Sequence, residues 1–370
     1  MFISRHRMKA LLFSGSLILI ASLSSLAQQQ QQPQPASPAS PARARGIALY
    51  QQNDAKGAIK VLREAVKKDK NDADAWYFLG LALTRQGQMK DARSAFVTTI
   101  GLRPNFAQAH TAYAYALLVT GRLPEAMSEA HTALDLGAKD AQTRYLLGNA
   151  ALRQDMPATA LDEATAILKI DPKFAPALLL KAMALLHLQS EDINRKAALD
   201  RKVVSAKEPE QKSREERIEY SRKSLRPFKE AADAIEKYIQ LVPSGEEADL
   251  WREQLATLRA FSQVADEDIP ESQRTIFFNY ELDKKATILT RPEPRYTDRA
   301  RNAWVQGTVV VRAVLAADGQ VKYIMALSGL PYGLTEEAIK VARRIKFVPA
   351  VKDGRAVSQY VQIEYNFNLY

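Results

Sequence analysis

Small residues recur every 34 positions through the first half of the chain, and no other feature restricts the fold as much. Alanine stands at Ala58, Ala92, Ala126 and Ala160, and Gly46, Gly80, Ala114, Gly148 and Ala182 keep the same period. Bulky apolar residues follow it at Val66, Ile100, Leu134 and Leu168, with prolines at Pro104 and Pro172. A period of this length implies stacked supersecondary units, because one unit of that size cannot bury its own apolar face.

The block from Ala73 carries Trp76, Leu79-Gly80, Leu83, Gly87, Ala92, Phe96 and Pro104. This pattern resembles the tetratricopeptide repeat, a helix–turn–helix unit. Gly80 and Ala92 let the two helices approach closely, while Trp76, Leu79, Phe96 and Ile100 fill the space between them, and Pro104 ends the second helix. Stacked repeats form a solenoid with a concave surface, legible here over residues 39–189. In the fifth repeat the first helix reads as Ala175–Gln189, but the second reads only at Leu225–Leu241, closed by Pro243. Some thirty-seven residues are inserted between them. The mixed-charge run at 190–224 reads as a solvated helix or flexible excursion. Leu250, Trp251, Leu255 and Leu258 then share one face of a capping helix over 246–261, so the solenoid is expected to span 43–261.

The inner positions of the first helices carry Tyr77, Arg85, Gln108, Thr111, Tyr115, Gln142, Tyr145, Asn149 and Arg153. Tyrosine and amide side chains combine amphipathic contact with adaptable hydrogen bonding, which suits an extended peptide. These nine are the expected peptide-binding residues of the solenoid.

After a polar, acidic connector (262–284) the period changes. Thr308–Ala316 is a β-branched run, and Ala317-Asp318-Gly319 supplies a turn. Val321, Tyr323, Met325 and Leu327 alternate with other residues as a second strand. A helix follows over 335–346, with Glu336 and Glu337 in its first turn and Arg343, Arg344 and Lys346 in its last, matching the macrodipole. Val357, Val361, Ile363, Tyr365 and Phe367 alternate in a third strand. Residues 285–370 are therefore expected to form an α+β domain, one helix packed on a small antiparallel sheet.

Several short motifs in this segment resemble the C-terminal domain of TonB, the protein that couples inner-membrane energy to outer-membrane receptors. They are Pro294-Arg295-Tyr296, Ala300-Arg301, Val305 to Val311, Asp318-Gly319-Gln320-Val321, Leu327-Ser328-Gly329, Phe347-Val348-Pro349-Ala350 and Tyr365-Asn366-Phe367. The resemblance implies a functional strand edge that pairs with a short receptor segment through main-chain hydrogen bonds. Carried over, it marks Glu293, Arg295 and Tyr296 around the Pro-x-Tyr motif. It also marks Tyr360, Gln362, Glu364 and Asn366 along the outer edge of the last strand. Glu293 and Arg295 replace the family's glutamines, and Thr297 stands where a proline is common.

Residues 1–27 hold Arg5, Arg7 and Lys9 ahead of an apolar stretch that ends in Ser25-Leu26-Ala27, the organisation of a cleaved export signal. An uncleaved membrane anchor is the alternative. The Gln/Pro/Ala-rich stretch 28–42 reads as a flexible spacer. The net charge is +10, but residues 28–284 are nearly balanced, and 285–370 hold thirteen basic against seven acidic residues. This distribution lacks the basic–aromatic interleaving of a nucleic-acid reader. There is no cysteine, and the four histidines include no His-x-x-x-His pair, so no metal site, cofactor or catalytic group is expected.

The sequence thus predicts a multidomain, non-catalytic periplasmic protein: an all-α solenoid followed by a TonB-like α+β domain. Its partners would be proteins or peptides of the cell envelope, such as an outer-membrane receptor, with no nucleic acid and no small-molecule substrate. Two alternatives stay open, a membrane-anchored energy transducer and a cell-wall or secretion-complex adaptor.

Overall fold

The computed structural model describes residues 40–202, 214–263 and 269–368. The expected export signal (1–27) and most of the spacer lie outside them. The chain divides into two compact units, and the division falls between Lys181 and Ala182.

The first unit is built of helical hairpins: α1 (Pro41–Gln51) with α2 (Ala55–Lys68), α3 (Ala73–Arg85) with α4 (Met89–Leu102), α5 (Ala107–Val119) with α6 (Leu123–Asp135), and α7 (Ala141–Arg153) with α8 (Pro157–Ile170). Helix α1 begins inside the expected spacer, where Ser40 caps it by accepting the Arg43 amide. Asp54, Asp72 and Asp140 cap α2, α3 and α7 in the same way, each satisfying an amide the helix cannot.

The hairpin turns share one device. Asn53, Gly87, Gly121 and Asp155 all have φ between 65° and 79°, and they stand 34 residues apart. Asn, Asp and Gly are the residues that enter this left-handed region most readily. The recurring small residues set the helix crossings. A Cβ on Gly80 would meet the Phe96 ring at 2.5 Å, and one on Gly46 would meet Leu62 at 2.5 Å. Ala58, Ala92, Ala126 and Ala160 are fully buried. Leu79 and Phe96 fill the space between helices as expected, whereas Trp76 and Ile100 pack at its margin.

The inserted residues lengthen two helices. Helix α9 runs Ala175–Lys202 and α10 runs Arg214–Leu241, followed by α11 (Glu246–Ser262). Helix α10 thus starts before the expected Leu225 and runs through Pro227.

The sheet comprises β1 (Ile276–Phe277), β3 (Gly307–Leu315), β4 (Val321–Ser328), β6 (Ala350–Lys352) and β7 (Arg355–Phe367), in the order β1-β7-β3-β4, with β6 also paired to β7. A separate ribbon joins β2 (Thr287–Thr290) to β5 (Lys346–Val348). Helices α12 (Asp298–Asn302) and α13 (Leu334–Ala342) complete the unit. On one face Val309, Val311, Leu315, Ile363, Tyr365 and Phe367 form a core with Leu334, Ala338, Val341 and Ala342 of α13.

The other face of the sheet meets the solenoid's last helices. Phe228 of α10 and Phe261 of α11 pack edge to face at 6.0 Å, Phe261 packs on Tyr360 at 5.4 Å, and Arg312 lies over both Phe228 and Tyr360. The division into compact units falls within the helical region, ahead of the expected linker at 262–284. The connector is also structured: β1 lies in it and pairs parallel with Ser358 and Gln359. Buried Glu281 accepts from Arg274 at 2.9 Å and from the Phe278 amide at 2.8 Å.

Candidate partner-binding sites

Strand β7 pairs along 359–367 with β3 on one side. On the other side β1 covers only Ser358 and Gln359. From Tyr360 to Phe367 that outer edge has no strand partner among the described residues. Gln362, Glu364 and Asn366 are exposed along it. Gln362 reaches Glu364 at 3.3 Å, and Asn366 accepts from Thr308 across the sheet at 2.7 Å.

The remaining expected residues of this domain divide. Glu293 and Arg295 are exposed, and Arg295 lies 3.7 Å from Asp298. Tyr296 is half-buried: its hydroxyl donates to the Val305 carbonyl and its ring packs on Phe367 at 5.8 Å. It fastens the segment to the end of β7. Tyr360 is a clear departure from the expected partner-facing surface. Its ring sits between Phe261 and Phe278, and its hydroxyl is buried with no hydrogen-bond partner among the described residues. Burial pushes that phenol up to about 12, against the opposing charge of Arg312. Alternation along a strand carries Tyr360 and Gln362 to one face, but α11 covers only the first.

Sequence reasoning missed Arg291. Its guanidinium lies over the Tyr365 ring and donates to the Glu364 main-chain carbonyl, so a side chain already occupies backbone on β7. A cation two residues ahead of Glu293, with a tyrosine in the last strand, is the only signal the sequence offers for it.

The nine expected solenoid residues are mostly interior. Tyr77, Thr111, Tyr115, Gln142, Tyr145 and Asn149 are buried, while Arg85, Gln108 and Arg153 are half-buried. Tyr77 packs on Phe106 at 4.8 Å and on Phe96 at 6.2 Å. Burial raises its pKa and pushes Tyr115 up to about 12. The Thr111 and Thr143 hydroxyls bond at 2.8 Å, linking α5 to α7. Asn149 donates to the Tyr145 hydroxyl at 3.2 Å. The two arginines play equivalent parts: Arg85 donates to the Tyr50 carbonyl at 2.7 Å and Arg153 to the Leu118 carbonyl at 3.0 Å. Each acceptor lies in the last turn of the preceding repeat's first helix, where carbonyls lack intrahelical donors. Periodicity placed these nine on the correct helices but could not say how much of each first-helix face the next repeat covers.

His110 is buried, its Nδ1 2.7 Å from Glu129 and its Nε2 2.8 Å from the Pro104 carbonyl. Among the described residues no cluster of three or more His, Asp or Glu groups forms a metal site, and no helix is long and apolar enough to cross a membrane.

Two parts of the chain match known families. Residues 292–369 match the family described as Gram-negative bacterial TonB protein C-terminal, and residues 43–98 and 85–142 match the tetratricopeptide repeat. A curated relative, Protein TonB of Vibrio cholerae serotype O1, is 32% identical over 89 residues, which are 24% of this chain and 36% of that protein. The chain thus spans about a third of the length of that relative. Among solved structures, MamA is 19% identical, covering 53% of this chain and 96% of its own, at a TM-score of 0.39. PilW, a widely conserved type IV pilus biogenesis factor, is 16% identical, covering 60% and 87%, at 0.44. Both modules are protein-interaction families without catalytic machinery, and the second suggests a place in the cell envelope. The chain carries tetratricopeptide repeats in its middle and a TonB-type C-terminal domain at its end.

Proposed function

We propose that this is a non-catalytic periplasmic interaction protein whose C-terminal domain takes up a short extended segment of an envelope partner, such as an outer-membrane receptor, as an added strand. One observation carries the reading: β7 is paired along 359–367 on its β3 side, while its outer edge beyond Gln359 has no strand partner among the described residues. Main-chain groups along an open edge bind an extended peptide with little demand on side-chain identity. The solenoid holds a second protein partner through groups left at its surface, Gln108 among them, while Tyr77 and Tyr115 keep the repeats packed.

The experiment is binding of receptor-derived periplasmic peptides to the purified chain, followed by backbone amide exchange. Protection of β7 amides on peptide addition is expected. Binding that leaves the exchange of residues 360–367 unchanged sinks the strand-addition reading. The chain's fractionation, and the first residue of the mature protein, separate an exported soluble protein from the anchored-transducer alternative.

A further inference from the structure

Three bulky aromatic residues, Trp304, Tyr323 and Tyr332, have positive φ, at 53°, 50° and 60°. Such conformations are outliers for large side chains and carry a free-energy cost unless the surroundings enforce them. Tyr323 has a local reason, since the β3–β4 register shifts there through a bulge. The other two occupy turns in which glycine would be the unstrained choice.

Trp304 follows Ala303, the residue that caps the C-terminus of α12. Its amide bonds the Arg301 carbonyl at 3.1 Å and the Val305 amide bonds the Ala300 carbonyl at 3.1 Å. That pair of bonds is a Schellman motif with Trp304 at the left-handed position where helices most often place glycine. The indole gains no burial in return, for Trp304 is 77% exposed. Tyr332 lies in the turn Pro331–Leu334 and is 53% exposed. The topology sets the two at one end of the sheet. Gly307, where β3 begins, lies against Leu330, and the Thr297 hydroxyl ahead of α12 donates to the Tyr332 carbonyl at 2.7 Å. Arg299 and Arg301 are exposed on α12 with no ion-pair partner among the described residues, Arg301 lying 5.8 Å from the centroid of the Tyr296 ring, whereas Asp298 sits 3.7 Å from Arg295.

We propose that Trp304, Tyr332, Arg299 and Arg301 form a docking surface for a bilayer carrying anionic headgroups. Indole and phenol rings prefer headgroup depth at a membrane interface. Arginines beside them reach lipid phosphates, and the excess of basic residues over 285–370 adds attraction to an anionic surface. Aromatics projecting from tight turns need no complementary pocket to enter a lipid interface. The inference does not depend on strand addition at β7.

The test uses the full chain with vesicles of phosphatidylcholine alone or mixed with phosphatidylglycerol. Trp76 is half-buried and Trp251 is buried, so the emission difference between the wild type and Trp304→Phe reports on Trp304. Anionic vesicles are expected to shift that difference spectrum to the blue and brominated acyl chains to quench it. Trp304→Gly should weaken binding about tenfold or more while remaining folded. Arg299→Glu and Arg301→Glu should each weaken it by about fivefold or more. Arg5, Arg7, Lys9 and the apolar segment 10–26 are common to all variants, so the Trp304 signal and the losses in the variants are decisive. Equal binding to neutral and anionic vesicles, an unshifted Trp304 spectrum, or Trp304-dependent capture of peptidoglycan or an acidic peptide without vesicle binding would overturn the proposal.

Discussion

The guanidinium of Arg291 lies over the ring of Tyr365, 4.9 Å from its centroid, and donates to the main-chain carbonyl of Glu364. An exposed side chain thus holds backbone on the strand proposed to receive a partner. An incoming strand competes with it. Arg291→Ala is expected to strengthen binding of a receptor-derived peptide by about fivefold, the net worth of one hydrogen bond of about 1 kcal/mol. Fluorescence anisotropy of a labelled peptide checks it; a marked loss of affinity would instead make Arg291 a direct contact.

His110 gives stability a pH dependence. The hydrogen bond to Glu129 comes first in raising its pKa above 6.5, helped by the Pro104 carbonyl and opposed by burial. A raised folded pKa contributes stability that is fully present below pH 6.5 and is lost as pH rises through the folded value. The melting-temperature gap between the wild type and His110→Gln should therefore narrow from pH 6 to pH 9. A gap that widens with pH would contradict the assignment.

Arg85 and Arg153 brace successive repeats by the same bond, one repeat pair apart. Either substitution to Ala should destabilise the solenoid by about 1–2 kcal/mol, within the range for hydrogen bonds donated by charged groups. Urea unfolding followed by far-ultraviolet circular dichroism reads the change. An unaltered midpoint in both variants would free these arginines for partner binding.

Trp304→Gly relieves a left-handed residue without removing buried contact. Stability is expected to rise by about 1 kcal/mol, visible as a higher melting temperature of the second unit. A lower one would mean that the indole packs on the domain.

Much of this fold was legible because its signals are local. The 34-residue spacing of Ala58, Ala92, Ala126 and Ala160 fixed the hairpin stack, and Asp318-Gly319 fixed the β3–β4 turn. The positive-φ positions were equally readable, since Asn53, Gly87, Gly121 and Asp155 keep the same period. The Asp353-Gly354 turn that joins β6 to β7 is a two-residue hairpin signal of the same kind.

What stayed hidden depends on partners distant in sequence. Nothing near Tyr360 announces that Phe261 will cover it, and Ile276–Phe277 is too short to read as a strand until Ser358 and Gln359 stand beside it. The burial of Tyr77 and Thr111 likewise depends on how successive repeats stack. A helical pattern assigns a residue to a face, but only the neighbouring repeat decides whether that face is open.

The most direct test uses the absence of cysteine from the chain, which makes single replacements at Gln362, Glu364 and Asn366 unambiguous. Each is mixed under mild oxidation with receptor-derived peptides carrying one cysteine walked along their length. Strand addition predicts disulfides at alternate peptide positions, the reactive position moving by two as the protein cysteine moves by two. Crosslinks that are absent at all three sites, or that form equally at every peptide position, would contradict a paired strand on β7.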